Sequence, residues 1–337
     1  MFTPAARKPT SLRSVLLSAL VAAACAAASL APSAASAQAA SPQLAQAQAG
    51  YYRLTVGNVE VIALSDGSIG LDTGLLQTSD RPMIDAALKL AHMASPLDTS
   101  VNAYLVKSGG RLVLVDAGAG TLFGPTLSKL PASLAAVGVA PGQITDVLVT
   151  HIHTDHTGGL MDGSRRVFPN ATIHLDQREI AFWLDPQNEA KAPAEKKAFF
   201  QQARASLQPY VEARQVRSFD GAAEVIPGLR SVPAPGHTPG HTFYRLESRG
   251  DSLMFWGDVM HVAEVQLQQP AVTIAYDVDP DAAAAQRKLA FADAADRGYL
   301  VAPAHMSFPG VGRLRRDGQG YRWVPVPYVN DAHPTAH

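Results

Sequence analysis

Within Thr150-His151-Ile152-His153-Thr154-Asp155-His156-Thr157-Gly158-Gly159, four side chains of metal-ligand type fall inside six residues. Crowding three imidazoles and a carboxylate together is costly unless something shares their lone pairs. A divalent metal is the partner that fits, and the spacing points to two ions. His151 and His153 are two apart, so at a strand end they face the same side. Asp155 and His156 follow a change of chain direction and face a second centre. Three further candidates come later, each after a strand: His237 in Pro235-Gly236-His237-Thr238-Pro239-Gly240-His241, Asp258 in Trp256-Gly257-Asp258, and His305 in Pro303-Ala304-His305. Imidazole and carboxylate ligands without a thiolate suit zinc, and also manganese, iron or cobalt. Two such ions about 3.5–4 Å apart would hold a bridging hydroxide and polarise a carbonyl or phosphoryl oxygen, with no need for a serine nucleophile.

These residues need strands to carry them. The run Val147-Leu148-Val149 reads as a buried strand over 145–149 leading into the cluster. Upstream, Tyr52 to Val56 and Val59 to Leu64 flank Gly57-Asn58 as a hairpin, and Asn102 to Val106 and Leu112 to Val115 flank Gly109-Gly110 as another. Helices are expected at 126–138, 177–184 and 194–208, with a strand at 171–175 between the first two. The second half repeats the pattern. Leu229 to Val232 leads into His237, Thr242 to Leu246 pairs with Ser252 to Trp256, a long helix covers 282–296, and a short strand from Tyr299 ends at His305. Strands with helices interspersed twice over predict an α/β fold of two packed sheets with helices outside.

The first residues belong to a different system. Arg7, Lys8 and Arg13 precede an apolar, Ala-rich run from Val15 to Ala28, and Ala35-Ser36-Ala37 is an A-x-A cleavage signal. These three parts make residues 1–37 a secretory signal peptide, with Gln38 as the new N-terminus and a periplasmic or secreted product. The apolar run is too short and too Ala-rich for a stable membrane span. Residues 38–50, rich in Gln, Ala, Ser and Pro, read as a disordered lead-in, and residues 51–337 as one catalytic domain. Cleavage removes Cys25, the only cysteine, so the mature chain has neither a disulfide nor a thiolate ligand. The leader carries three of the 28 basic residues and none of the 29 acidic ones, which leaves a net charge of about −4. With no basic runs, nucleic acid is excluded as a partner.

In order, His-x-His-x-Asp-His, Gly-His-Thr-Pro-Gly-His, Gly-Asp and a late His resemble the binuclear metallo-β-lactamase superfamily, over residues 60–305. The resemblance implies an αβ/βα sandwich of two mixed sheets with the site at one sheet edge. It implies that His151, His153 and His237 hold the first metal, Asp155, His156 and His305 the second, and that Asp258 bridges them. Two divalent ions, zinc foremost, are thus the expected cofactors, and Asp155 and Asp258 the acidic residues of catalysis. Asp116, in Val113-Leu114-Val115-Asp116-Ala117-Gly118, resembles the superfamily's buried Asp that orients a ligand imidazole; a turn carboxylate explains it equally. His241 is expected to support the site or to pack, and His92 and His174 to have no functional role.

Further segments are similar to methyl parathion hydrolase and its lactonase (dihydrocoumarin hydrolase-like) relatives: Gly50-Tyr51-Tyr52-Arg53, Ala63-Leu64-Ser65-Asp66-Gly67, Leu122-Phe123-Gly124-Pro125-Thr126-Leu127, Phe291-Ala292-Asp293-Ala294-Ala295 and Ser307-Phe308-Pro309-Gly310. That resemblance implies a pocket lined by Phe123, Trp183 and Phe199, although core packing explains Phe199 nearly as well. His261, Ile274 and Tyr276 depart from the organophosphate enzyme and are expected beside the site. An imidazole and a phenol there suit a lactone or aryl ester, with a phosphotriester as the alternative or side substrate. A glyoxalase II-type thioesterase would add a C-terminal helical domain, whereas the end of this chain is short and Pro-containing. Zinc β-lactamases lack the bridging Asp. A metal-binding protein without turnover is the non-enzymatic alternative. The expected partner is therefore a small apolar or aryl lactone, ester or phosphotriester, and a homodimer is the assembly to test.

Overall fold

The computed structural model describes residues 48–330. The expected signal peptide, and the expected lead-in as far as residue 47, lie outside the described residues. The last residue of the expected lead-in already belongs to the fold: Ser65 N donates to the Gly50 carbonyl at 2.9 Å.

Two seven-stranded mixed sheets make up the body. The first runs, in spatial order, Tyr51–Val56, Val59–Leu71, Leu97–Ser108, Arg111–Val115, Asp146–Leu148, Thr172–Asp176, Val216–Phe219. Its first four strands pair antiparallel and its last three join in parallel. The second sheet runs Glu224–Ile226, Leu229–Pro233, Thr242–Ser248, Asp251–Gly257, Leu300–Pro303, Gly312–Asp317, Gly320–Pro325. It is antiparallel apart from the junction of Asp251–Gly257 with Leu300–Pro303.

Strands buried on both faces must be apolar at every position, and Val61-Ile62-Ala63-Leu64 shows it. Val61 and Ala63 join Tyr244, Leu253 and Phe255 between the sheets. Ile62 and Leu64 turn the other way, toward Leu134, Leu207 and Tyr210 of the outer helices. On the far side, Met254, Trp256 and Val301 pack on Ala290, Phe291 and Ala294 of the helix Pro280–Arg297. The layers are therefore helix, sheet, sheet, helix, as expected.

Several elements differ from the sequence reading. The strand expected to end at Leu64 continues to Leu71 through a bulge whose register shifts between Ser65 and Gly67. Gly67 adopts φ 120° there, which a side chain would resist. The helix Arg81–Leu90, capped by Asp80 on Met83 N, was not foreseen. Nor was the final hairpin of Gly312–Asp317 with Gly320–Pro325, which turns the short Pro-containing end into sheet. Among the described residues, no helix is long and apolar enough to cross a membrane.

Candidate metal centre

Four loops meet at one edge of the sandwich, each leaving the carboxyl end of a strand. The loop after Asp146–Leu148 brings His151 to His156 from the first sheet. Those after Leu229–Pro233, Asp251–Gly257 and Leu300–Pro303 bring His237, Asp258 and His305 from the second. Gly257 makes the approach workable: its φ is 51°, and a Cβ would stand 2.8 Å from both His241 Nε2 and Thr150 Oγ1.

The seven expected ligands gather into two groups that share Asp258. In the first, His153 Nδ1 lies 3.1 Å from His151 Nε2 and 3.0 Å from His237 Nε2. Asp258 Oδ2 lies 3.6 Å and 3.3 Å from those same two Nε2 atoms. In the second, Asp258 Oδ1 lies 3.0 Å from His156 Nε2 and 3.1 Å from His305 Nε2. Asp155 Oδ2 completes it, 3.5 Å from His156 Nε2 and 3.3 Å from His305 Nε2. Ligands bonded at 2.0–2.1 Å around one tetrahedral ion stand about 3.4 Å apart, which is the separation seen. His156 Nε2 and Asp258 Oδ1 face each other yet make no aligned hydrogen bond, although both are buried. Lone pairs aimed at a common third point have this geometry. The residues present fit a pair of divalent ions.

The far side of each ring fixes which nitrogen faces the centre. His156 Nδ1 is 2.8 Å from Asp116 Oδ2 and His237 Nδ1 is 2.7 Å from Asp277 Oδ1. His305 Nδ1 is 3.0 Å from the Ser100 carbonyl, and His151 Nδ1 3.1 Å from Thr150 Oγ1. His153 alone presents Nδ1. Asp116 thus meets a ligand imidazole. Its backbone has φ 57°, a region Asp tolerates better than most residues, and Thr150 N and Oγ1 donate to its carboxylate. Asp277 was missed, because no motif surrounds it. It is held in turn by Ile274 N and faces the buried Arg287, which donates to the carbonyls of Val259 and Val272.

Burial and the neighbouring His156 charge push His151 well below its ordinary range; burial and His237 do the same to His153. Both rings are therefore neutral, as ligation requires. Burial would raise Asp258, but the charges of His156 and His305 outweigh it and hold the carboxyl well below the usual range. His241 supports the site without joining it. Its Nδ1 donates to the Ala234 carbonyl, its Nε2 accepts from Asp258 N, and burial lowers its pKa to about 3. His174 meets Asp146 at 2.9 Å, away from the centre.

A cavity of about 360 Å³ opens beside the first group and reaches His153. Trp183, Phe199 and Tyr276 form its wall with Phe182, Phe200 and Lys196. Two other residues expected in or beside the pocket stand elsewhere. Ile274 is fully buried in the cluster of Leu76, Ile84 and Val265, because its short strand pairs with Leu76 and turns the side chain inward. Phe123 packs against Val101, Ala119 and Leu127. His261 points at the metal centre instead: its Nε2 is 3.1 Å from Asp258 Oδ2, and its ring stacks on His305 at 5.2 Å.

Known proteins share this arrangement. The family model described as metallo-beta-lactamase superfamily matches residues 97–305, more than half of the chain. The crystal structure of the hydrolase AbOPH, described as in the beta lactamase superfamily, superposes with a TM-score of 0.81 at 34% identity, covering 85% of this chain and all of that one. AidC, a dizinc quorum-quenching lactonase in complex with its product N-hexanoyl-L-homoserine, gives 0.78 at 26% identity over 83% of this chain and 99% of its own. The N-acyl homoserine lactonase AttM of Azorhizobium caulinodans is 30% identical over 36% of this chain. Sequence relatives are matched over only part of their own length, 60% for YobT of Bacillus subtilis and 44% for AttM. With its two sheets, its shared-carboxylate ligand groups and a family match over most of its length, the chain belongs to the metallo-beta-lactamase superfamily.

Proposed function

We propose that this protein is an exported, dinuclear metal-dependent hydrolase of lactones or aryl esters. One observation carries the reading: Asp258 is shared by both ligand groups, beside an aromatic cavity that reaches a ligand of the first. When bound, two divalent ions, zinc foremost, would supply a water of lowered proton affinity and a Lewis acid for the substrate's carbonyl oxygen.

The chain's own residues do the rest. Asp258 and Asp155 would help hold the ions, Asp258 as the carboxylate common to both ligand groups and Asp155 as part of the second. Asp116 and Asp277 hold His156 and His237 in the tautomer that leaves Nε2 for the metal. Trp183 and Phe199 offer ring faces to a flat acyl or aryl group and keep water from it. Burial, reinforced by the Asp155 charge, raises the pKa of Tyr276, so its phenol stays protonated and can donate to a ring or leaving-group oxygen.

Phosphotriester hydrolysis is the second reading, favoured by the wall of rings, which suits an aryl phosphotriester equally well. A panel of metal-loaded turnover with dihydrocoumarin, an acyl-homoserine lactone, an aryl acetate, methyl parathion and an acyl thioester separates these readings. The proposal expects a lactone or the aryl ester to lead in kcat/KM. Leadership by methyl parathion would install the second reading, and leadership by the thioester would overturn both.

A further inference from the structure

The helix Gln177–Trp183 carries a carboxylate that the chemistry above does not use. Glu179 is completely buried. Its Oε2 accepts from Ile152 N at 2.8 Å and from Trp183 Nε1 at 3.0 Å, and its Oε1 accepts from Gly240 N at 2.7 Å. Ile152 lies between His151 and His153, while Gly240 lies three residues after His237. One side chain therefore ties together the two loops that supply every imidazole of the first ligand group, although those loops come from different sheets. Its third donor, Trp183, is a wall of the cavity and stands 5.3 Å from the His153 ring.

The contact is built to be close. A Cβ on Gly240 would stand 2.8 Å from Glu179 N and 2.9 Å from its Cγ, so the glycine lets the loop rest directly on the helix. The two segments also meet where Thr242 N donates to the Thr150 carbonyl at 2.9 Å; nearer the ligands, Glu179 ties Ile152 to Gly240. The second ligand group is held by other partners: His156 by Asp116, and His305 by the Ser100 carbonyl.

We infer that Glu179 is a positioning residue that sets the spacing of His151 and His153 against His237, so that first-site metal affinity depends on it and second-site affinity does not. The inference rests on the dinuclear reading. Three N–H donors face the carboxylate, so removing one acceptor oxygen leaves a buried N–H without a partner and lets the two loops separate. Positioning partners of this kind are worth about 10- to 100-fold in metal affinity.

The test is zinc release to a chromophoric chelator, followed as two steps on the folded, metal-loaded protein. The step that disappears in His305→Ala marks the second site. Glu179→Gln keeps the shape but turns an NH₂ group toward a donor. The expected result is a first-site step weakened about 10- to 100-fold, with the second-site step unmoved. Trp183→Phe removes only the third donor and should leave both steps in place. Gly240→Ala moves the loop without touching the carboxylate and should weaken the first-site step alone, which keeps the test alive if Glu179→Gln fails to fold. Unmoved steps in Glu179→Gln or in Gly240→Ala, an equal shift of both steps, or a Trp183→Phe variant as weak as Glu179→Gln would each overturn the inference. A wild type that releases fewer than two ions would count against the dinuclear reading instead.

Discussion

Around the ligand cluster, four of the five imidazoles are gripped at the far nitrogen by a carboxylate, a carbonyl or a hydroxyl. Asp258 alone stands within 3.6 Å of four of them. Along the cavity wall the contacts are of another kind. Phe182, Trp183 and Phe200 meet one another as tilted or edge-on rings 4.9–5.5 Å apart, and Phe199 meets Tyr276 at 6.4 Å. Directional bonds fix the first region to one geometry, since losing a partner strands a buried polar atom. Ring packing fixes the second only loosely, since an apolar face accepts many shapes. The centre should therefore tolerate almost no change, and the wall should trade one substrate for another at modest cost.

The largest effect is expected at the shared carboxylate. Asp258→Ala should lower kcat/KM by more than about 100-fold on every substrate, because misplacing a reacting group by an ångström already costs that much. A variant with near-normal turnover would break the contrast at its strongest point. One bond further out, Asp277→Asn should weaken metal binding about 10- to 100-fold while leaving the fold intact, as read by chelator competition beside circular dichroism. Unchanged affinity would show that His237 needs no partner.

His261 tells which region a residue belongs to. The sequence places it on the wall, but the structure turns its Nε2 to Asp258 Oδ2. His261→Leu should therefore lower ester and phosphotriester turnover together, by roughly 10-fold, with a matching loss of bound metal. Opposite shifts on the two substrates would return it to the wall. Phe199→Ala should have the smallest effect, a rise in KM of about 2- to 10-fold with kcat nearly unchanged, the worth of one ring contact. A collapse of kcat would show that the wall is as exacting as the centre.

The same contrast explains what could be read in advance. The candidate metal ligands are legible because imidazoles and carboxylates at spacings of one to three residues have few other uses. The two packed sheets are legible because apolar runs alternate with turn residues. Asp277 and Glu179 were invisible, since a lone acid in a helix or loop has no periodicity and its partners lie up to 61 residues away. Phe123 and Ile274 went to the wrong place because an apolar side chain serves a wall or a core equally well, and only the three-dimensional packing decides. The strand through Ser65-Asp66-Gly67 was cut short because a bulge and a turn use the same residues.

Metal content measured together with turnover tests the central claim most directly. Purified protein should carry close to two equivalents of zinc or a similar divalent metal. Prolonged chelation should abolish lactone or aryl-ester hydrolysis, and returning two equivalents should restore it. A chain that saturates at one equivalent, or hydrolysis that survives complete removal of the metal, would contradict the account.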